Sequence, residues 1–240
     1  MKILVVNDDS IHSPGLALLA RKALELGDVW VVAPARQCSG MSQRLSFHAR
    51  LPVKKVDFPV PVKGAYQVDG TPADCVRVAL QYLLEEKPDY VFSGINDGYN
   101  VGFDIAYSGT LGAAFEAIMS GVPAIAFSNP IKDSLHIAEA HLLPIARELM
   151  REGLGRNEVW NVNFPPVTEG EVKGILRDRR IATTQYYRER FLEEKQPDGS
   201  VILLGQSAPI TGAEEVPAGT DIHAVLNGYI SIGKVKSLVL

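Results

Sequence analysis

Runs of aliphatic and β-branched residues, each stopped by a polar or glycine-rich break, alternate along this chain with stretches whose apolar residues recur every third or fourth position. The first run, Ile3-Leu4-Val5-Val6, stops at Asn7-Asp8-Asp9. With no polar residue alternating through it, it predicts a strand buried on both faces, as in a parallel sheet. Ser13-Pro14 then opens a helix, Ser13 as its cap and Pro14 in the first turn, where a missing N–H leaves no hydrogen bond unmade. Leu16, Leu19, Ala20, Ala23 and Leu24 form its apolar stripe, and Gly27 ends it. Val29-Trp30-Val31-Val32-Ala33, halted by Pro34, is a second buried strand, so the chain opens with a βαβ unit.

The pattern repeats downstream. Gly70-Thr71-Pro72-Ala73-Asp74 begins a helix with Thr71 as N-cap and Asp74 placed to reach back to it. Its stripe is Val76, Ala79, Leu80, Leu83 and Leu84, closed by Pro88. Tyr90-Val91-Phe92-Ser93-Gly94-Ile95 is a third strand, and it delivers Asn96-Asp97-Gly98 to the same sheet edge as the Asp pair. A helix over 111–120, a strand over 122–127, a helix over 134–153 bent at Pro144 and a strand over 159–164 complete the alternation. Residues 41–67 break it, and are expected to form an insertion outside the α/β pattern, with strand-like Val53-Lys54-Lys55-Val56 and Ala65-Tyr66-Gln67-Val68. Between Lys173 and Gln206 the composition shifts to Arg, Glu and Tyr. A turn at Gln196-Pro197-Asp198-Gly199 there joins two strand-like runs into a projecting β-hairpin. A lone hairpin is marginal in water, so this arm is expected to pack on another subunit.

Composition narrows the function. A net charge of −4 argues against a nucleic-acid polymer as partner, because duplex binding relies on clustered Lys and Arg. Two cysteines, Cys38 and Cys75, offer neither a disulfide framework nor a zinc-thiolate site. No apolar run approaches a membrane span and no basic, apolar leader precedes the first strand, so the expectation is a cytoplasmic protein with no membrane partner.

Chemistry concentrates where strands end. Asp8 and Asp9 follow the first strand, Ser39 lies beyond the second and Asn96 follows the third. Adjacent carboxylates repel each other. Two of them with a hydroxyl and an amide oxygen, and without His or Cys, make a set suited to one hard divalent ion, Mg²⁺ or Mn²⁺. Each residue also has a plainer reading, since an Asp or Ser caps helices and turns and Asn96 suits an Asx-turn. Tyr107-Ser108-Gly109-Thr110 feeds an Ala-rich helix, where exposed N–H groups, two hydroxyls and a glycine form an anion cradle; a simple helix cap is the alternative. A cation facing a phosphate cradle is the layout of a phosphohydrolase or phosphotransfer site. By contrast, Gly228-Tyr229-Ile230-Ser231-Ile232-Gly233-Lys234-Val235 has P-loop spacing, but Val235 replaces the required hydroxyl and the run is strand-forming.

Taken in order and spacing, Asn7-Asp8-Asp9-Ser10-Ile11, Ser39-Gly40-Met41-Ser42, Gly70-Thr71-Pro72-Ala73-Asp74-Cys75, Ser93-Gly94-Ile95-Asn96-Asp97-Gly98-Tyr99-Asn100 and Tyr107-Ser108-Gly109-Thr110 resemble the survival protein SurE family. The likeness continues through Asn161-Val162-Asn163-Phe164-Pro165 and Thr220-Asp221-Ile222-His223. It implies a metal-dependent 5′/3′-nucleotidase, a phosphoric monoester hydrolase, with one divalent ion per subunit held by Asp8, Asp9, Ser39 and Asn96. It implies a Rossmann-like, three-layer α/β/α core of mostly parallel strands, and a homodimer or homotetramer assembled through the C-terminal arm. Two departures stand out: the family usually has Gly at Ser10, and Gly233-Lys234-Val235 replaces the usual Thr-Pro-Leu.

The expectation is therefore one domain over 1–240, with a core of about 1–165 and an arm with an oligomerisation extension over about 166–240. Asp8 and Asp9 are the catalytic candidates. Asn96, Asn100, Ser108, Gly109 and Thr110 are the candidates for binding a nucleoside monophosphate, with Asp104 beside them. The rival is a non-enzymatic phospho-receiver or nucleotide-sensing module with a divalent metal site. Such modules also place paired acids after a first strand, but they are about half this length and need an acceptor Asp where this chain has Asn96.

Overall fold

The computed structural model describes residues 1–130, 134–213 and 216–237. The opening unit consists of β1 (Lys2–Val6), α1 (Pro14–Ala23) and β2 (Asp28–Pro34). After β3 (Val53–Lys55) and β4 (Gly64–Val68) come α2 (Pro72–Val78), β5 (Tyr90–Asp97), α3 (Gly109–Met119), β6 (Ala124–Asn129), α4 (His136–Glu152) and β7 (Glu158–Asn163). The chain ends with β8 (Ile175–Leu176), the hairpin β9 (Tyr187–Lys195) and β10 (Val201–Pro209), α5 (Asp221–Leu226) and β11 (Ile230–Lys236).

Nine strands form one sheet in the order β3-β4-β2-β1-β5-β6-β7-β11-β8. From β4 through β7 every neighbouring pair is parallel. The chain leaves β1 toward β2 and β4, then returns to the other side of β1 at β5, so the direction of winding switches between β1 and β5. In doubly wound sheets the ligand crevice lies outside the carboxyl ends of the strands at that point. The pleat of β1 feeds two cores at once. Ile3 and Val5 pack with Leu16 and Leu19 of α1 and Leu142 of α4, while Leu4 and Val6 pack with Val76 of α2 and Leu111 and Ala114 of α3. These two layers around the sheet are the three-layer arrangement expected.

Several local expectations hold and others need correction. Thr71 and Asp74 make the reciprocal cap, with Asp74 N–H donating to Thr71 Oγ1 (3.1 Å) and Thr71 N–H to Asp74 Oδ2 (2.9 Å). Beyond Val78 that helix widens into a π turn, Ala79–Leu83. Ser13 occupies the N-cap position of α1 but its hydroxyl caps nothing. Residues 41–67 are not an insertion outside the pattern. β4 pairs in parallel with β2 and belongs to the main sheet, with β3 antiparallel on its edge. The sequence hides this because the crossover from β2 to β4 carries no helix, the usual mark of a βαβ unit. The P-loop look-alike lies in β11, antiparallel to β7, and β8 extends the sheet beyond it. The sheet thus takes two strands from beyond residue 166, while residues 214–215 and 238–240 of the expected extension lie outside the described residues.

The hairpin pairs over its full length, from Tyr187 opposite Pro209 to Lys195 opposite Val201, and forms a separate sheet. A third, smaller core of Tyr99, Val101, Ala182, Tyr186, Ile210 and Ile222 anchors its root. No helix among the described residues is long and apolar enough to cross a membrane.

Candidate active site

The ends of β1 and β5 bring the predicted acids beside Asn96 because these strands are paired, Val5 opposite Phe92 and Val6 opposite Ser93. Asp8 is buried, and its Oδ1 accepts the hydroxyl of Thr110 at 2.7 Å. Its carbonyl accepts the N–H of Cys38 at 2.7 Å, which draws the loop carrying Ser39 toward β1. Asp9 turns the other way: its Oδ2 accepts the N–H of Asp97 at 2.8 Å, and Gln37 Nε2 donates to its Oδ1 at 3.4 Å. Each carboxylate is therefore held by a different neighbouring element, α3 for Asp8 and the end of β5 for Asp9.

Asn96 donates its amide nitrogen to the carbonyl of Gly98 at 2.8 Å, which leaves the side-chain oxygen to act as an acceptor or ligand. Asp8, Ser39, Asn96, Asn100 and Ser108 line one pocket of about 550 Å³. Asp9 instead lines a second pocket of about 630 Å³, with His12, Ser13 and Gln37, and Asn96 and Asp97 form the wall between the two. The Ser39 loop is fastened across the first pocket by Ser42, whose hydroxyl donates to the carbonyl of Ala106 at 2.8 Å.

α3 starts two residues earlier than predicted, so Gly109 and Thr110 are its first helical residues and Ser108 is its N-cap. The Ser108 hydroxyl accepts the N–H of Leu111 at 3.0 Å, so the plain capping role and the pocket-lining role coincide in one side chain. Gly109 is required for contact: a Cβ there would lie 2.9 Å from the Cβ of Asp8 and 3.0 Å from its Oδ2. The start of α3 thus presses directly on the first carboxylate. Thr110 is fully buried and spends its hydroxyl on Asp8, which makes it an orienting group for that acid.

Asn100 is also engaged within the protein. Its backbone N–H donates to Asn163 Oδ1 (3.0 Å), its carbonyl accepts from Asn161 Nδ2 (2.8 Å), and its own Nδ2 donates to Ser128 Oγ (2.7 Å). Asn161 and Asn163 project from β7, so this network ties the loop after β5 to the neighbouring strands. Asp104, which also lines the first pocket, accepts the N–H groups of Tyr186 and Tyr187 at 2.8 and 2.9 Å. Gln185, just before the arm, and Tyr187, Glu189 and Ser207 of the arm complete the wall. Sequence reasoning missed these four, because nothing in the pattern of a projecting hairpin signals that its root closes a pocket.

The electrostatics suit a cation. Burial, and then the neighbouring Asp9, push the Asp8 carboxyl up to about 7, even though the Thr110 hydroxyl works against the shift. Burial raises Asp9 as well. Two adjacent acids that resist ionisation while flanked by a hydroxyl and an amide oxygen form a site in which a divalent ion would relieve the charge. Among the described residues there is no group of three His, Cys, Asp or Glu side chains able to hold a metal, so the donors available are oxygens of mixed type.

These features define a doubly wound α/β protein with paired acids at the topological switch point, the first of them against the N-terminus of a helix. The model of the survival protein SurE family matches residues 3–189. The chain belongs to that family. It is 39% identical over 239 residues to the 5′-nucleotidase SurE of Geobacter sulfurreducens, covering 97% of this chain and 86% of that protein. It is 38% identical over 236 residues to the 5′-nucleotidase SurE of Clostridium botulinum, covering 97% and 91%. The crystal structure of the SurE protein from Aquifex aeolicus superposes with a TM-score of 0.84 at 36% identity, over 100% of this chain and 95% of that one.

Proposed function

We infer that this protein is a phosphoric monoester hydrolase, a 5′/3′-nucleotidase that releases phosphate from nucleoside monophosphates. The observation that carries the reading is the convergence of Asp8, Asn96 and the start of α3 on one pocket at the switch point of the sheet. The relatives named as 5′-nucleotidases, similar over nearly the whole chain, support the same activity. A family match running from residue 3 to residue 189 leaves no room for the receiver alternative, which needs a much shorter unit.

Asp8, Asp9, Ser39 and Asn96 are the residues that would hold one divalent ion, Mg²⁺ or Mn²⁺, per subunit. When bound, such an ion polarises a phosphoryl oxygen and lowers the pKa of water. The protein's own groups supply the rest. The first-turn N–H groups of α3, at Gly109 and Thr110, present positive dipole to a phosphate, and Ser108 borders them. Thr110 fixes the direction of Asp8, while the backbone of Asp97 fixes Asp9. The network around Asn100 keeps the intervening loop in place, and rigid placement of reacting groups is itself a large part of catalysis.

The exposed apolar residues of the arm, Phe191, Leu192 and Val201 through Leu204, support assembly with a second copy, as homodimer or homotetramer. In this reading the chain is one domain whose arm serves assembly, and it works in the cytoplasm. Hydrolysis of AMP and p-nitrophenyl phosphate with Mn²⁺ or Mg²⁺, with and without chelator, tests the activity. Turnover that needs the ion is expected. No turnover on any phosphate monoester would overturn the reading, and turnover indifferent to chelator would remove the ion from it.

A further inference from the structure

Tyr187 begins β9 at the point where the arm leaves the body of the molecule, and several contacts hold that point against the segment between β5 and α3. Asp104 accepts the N–H groups of both Tyr186 and Tyr187. The Tyr187 hydroxyl accepts the N–H of Tyr99 at 2.9 Å. The three rings stack edge to face, with centroids 5.2 Å apart for Tyr99 and Tyr186 and 4.9 Å for Tyr186 and Tyr187. Gly102, with φ of 55°, lets the two segments approach so closely that a Cβ there would meet the carbonyl oxygen of Thr184 at 2.3 Å.

The consequence is a composite pocket. Asp8, Ser108 and Asn96 contribute its polar part, and Tyr107 and Tyr187 contribute aromatic side chains from two separate elements. Tyr99 also borders it but is 4% exposed, so little of that ring is open to a ligand. Burial pushes the Tyr187 hydroxyl well above the usual phenol range, so the ring stays neutral at every physiological pH. A phosphate ester seated on the start of α3 must extend its organic part along this pocket, and a flat aromatic face binds a nucleobase through either of its own faces.

We propose that Tyr187 is a specificity-determining residue, its ring receiving the base of a nucleoside monophosphate whose phosphate lies at Ser108 and Gly109. The proposal rests on the nucleotidase reading for the phosphate and adds the part of the site that recognises the nucleoside. It also makes the seating of the arm a condition of substrate recognition, because Tyr187 is the arm's first residue.

The test compares AMP with glycerol phosphate, an ester that has no ring, in the wild type, Tyr187→Phe and Tyr187→Ala. In Tyr187→Ala the KM for AMP should rise about tenfold, the loss of one base–aromatic contact, with kcat for glycerol phosphate within about twofold of wild type. Tyr187→Phe keeps the ring and should keep the preference for AMP. A parallel loss on both esters would make Tyr187 merely structural, and an unchanged KM for AMP in Tyr187→Ala would overturn the proposal. Calorimetric binding of adenosine decides the matter apart from turnover, since Tyr187→Ala must lose it and Tyr187→Phe must keep it. A wild type that binds adenosine yet hydrolyses neither ester would unseat the nucleotidase reading and leave this one standing.

Discussion

At the carboxyl ends of β1 and β5 polar side chains are claimed by neighbours in the same chain, as Asp8 is by Thr110, Asp9 by the backbone of Asp97 and Asn100 by Ser128. Along β10 every residue is exposed, and the apolar side chains of Val201, Ile202, Leu203 and Leu204 face water. The first region holds these side chains in one orientation. The second leaves its hydrophobic surface unsatisfied, which is what an element built for a partner does. If assembly is the second job of the chain, changes at the sheet edge should alter chemistry without altering mass, and changes on the exposed apolar length of the arm, away from the residues at its root that line the pocket, should do the reverse.

Asp8→Asn breaks that contrast most severely. The amide keeps an oxygen for the Thr110 hydroxyl but removes the charge, so kcat should fall by at least about a hundredfold. Because burial already disfavours the ionised acid, the metal-free variant should melt at the same temperature as the wild type or higher. A steep drop in melting temperature would mean that Asp8 holds the fold and not the chemistry.

On the arm, Phe191→Glu combined with Leu203→Glu should raise the dissociation constant between subunits about a hundredfold, since each charge would have to be buried at the contact. Sedimentation at several concentrations measures it. The hydrolysis of glycerol phosphate by the separated chains reports whether the sheet edge works alone, and an unchanged mass would remove the arm from any assembly.

A subtler probe of the sheet edge is Gly109→Ala. The new methyl would press on Asp8 at the start of α3, and displacing an acid by a fraction of an ångström should lower kcat about tenfold while the fold persists. Full activity with a normal melting temperature would show that Asp8 has room to move.

How these regions appeared in the sequence also differs. The buried strands announced themselves through unbroken apolar runs, and the capping box at Thr71 and Asp74 through residue type and spacing alone. The acids of the site were readable because they stop a strand. β4 was readable as a strand through Ala65 to Val68 but not as a member of the main sheet, since the crossover that leads to it lacks a helix. Thr110 looked like a phosphate ligand because side-chain direction inside a first helical turn cannot be read from a string, and only packing shows that it points at Asp8. The arm's contribution to the pocket, through Tyr187 and Glu189, is a contact between distant parts of the chain that no local pattern encodes.

Acidity distinguishes the sheet edge in another way. Without metal, the Asp8 carboxyl sits at about 7, against 3.8 for an ordinary Asp. A folded-state value above the unfolded one means that the folded protein holds this proton more tightly. Its contribution is therefore fully present below pH 3.8 and declines as the pH rises toward 7. A divalent ion competes with that proton, so Mn²⁺ should raise the melting temperature more at pH 8 than at pH 5. Equal shifts at both values would detach Asp8 from the ion. Asp8→Asn should flatten the pH dependence in chelator.

The smallest effect is expected at Ser10, and it points in the opposite direction. This residue follows the two acids with φ of 88°, in the left-handed region that glycine adopts freely and serine only with strain. Glycine is also the residue that the family resemblance leads one to expect here. The carbonyl of Ser10 accepts the side-chain N–H of Asn7 at 2.9 Å, which fixes the turn regardless of the side chain at position 10. The hydroxyl makes one weak contact, accepting the N–H of His12 at 3.4 Å. Ser10→Gly therefore removes the strain and loses little, and the variant should gain about 1 kcal/mol of stability, read as a higher denaturant midpoint with unchanged slope. Its kcat on AMP should stay at the wild-type level, because Asp8 and Asp9 are held from α3 and β5 and not from the turn. A gain in stability accompanied by a loss of activity would instead show that the strained turn positions the acids, and would move the rigidity of the site from its neighbours into the loop itself.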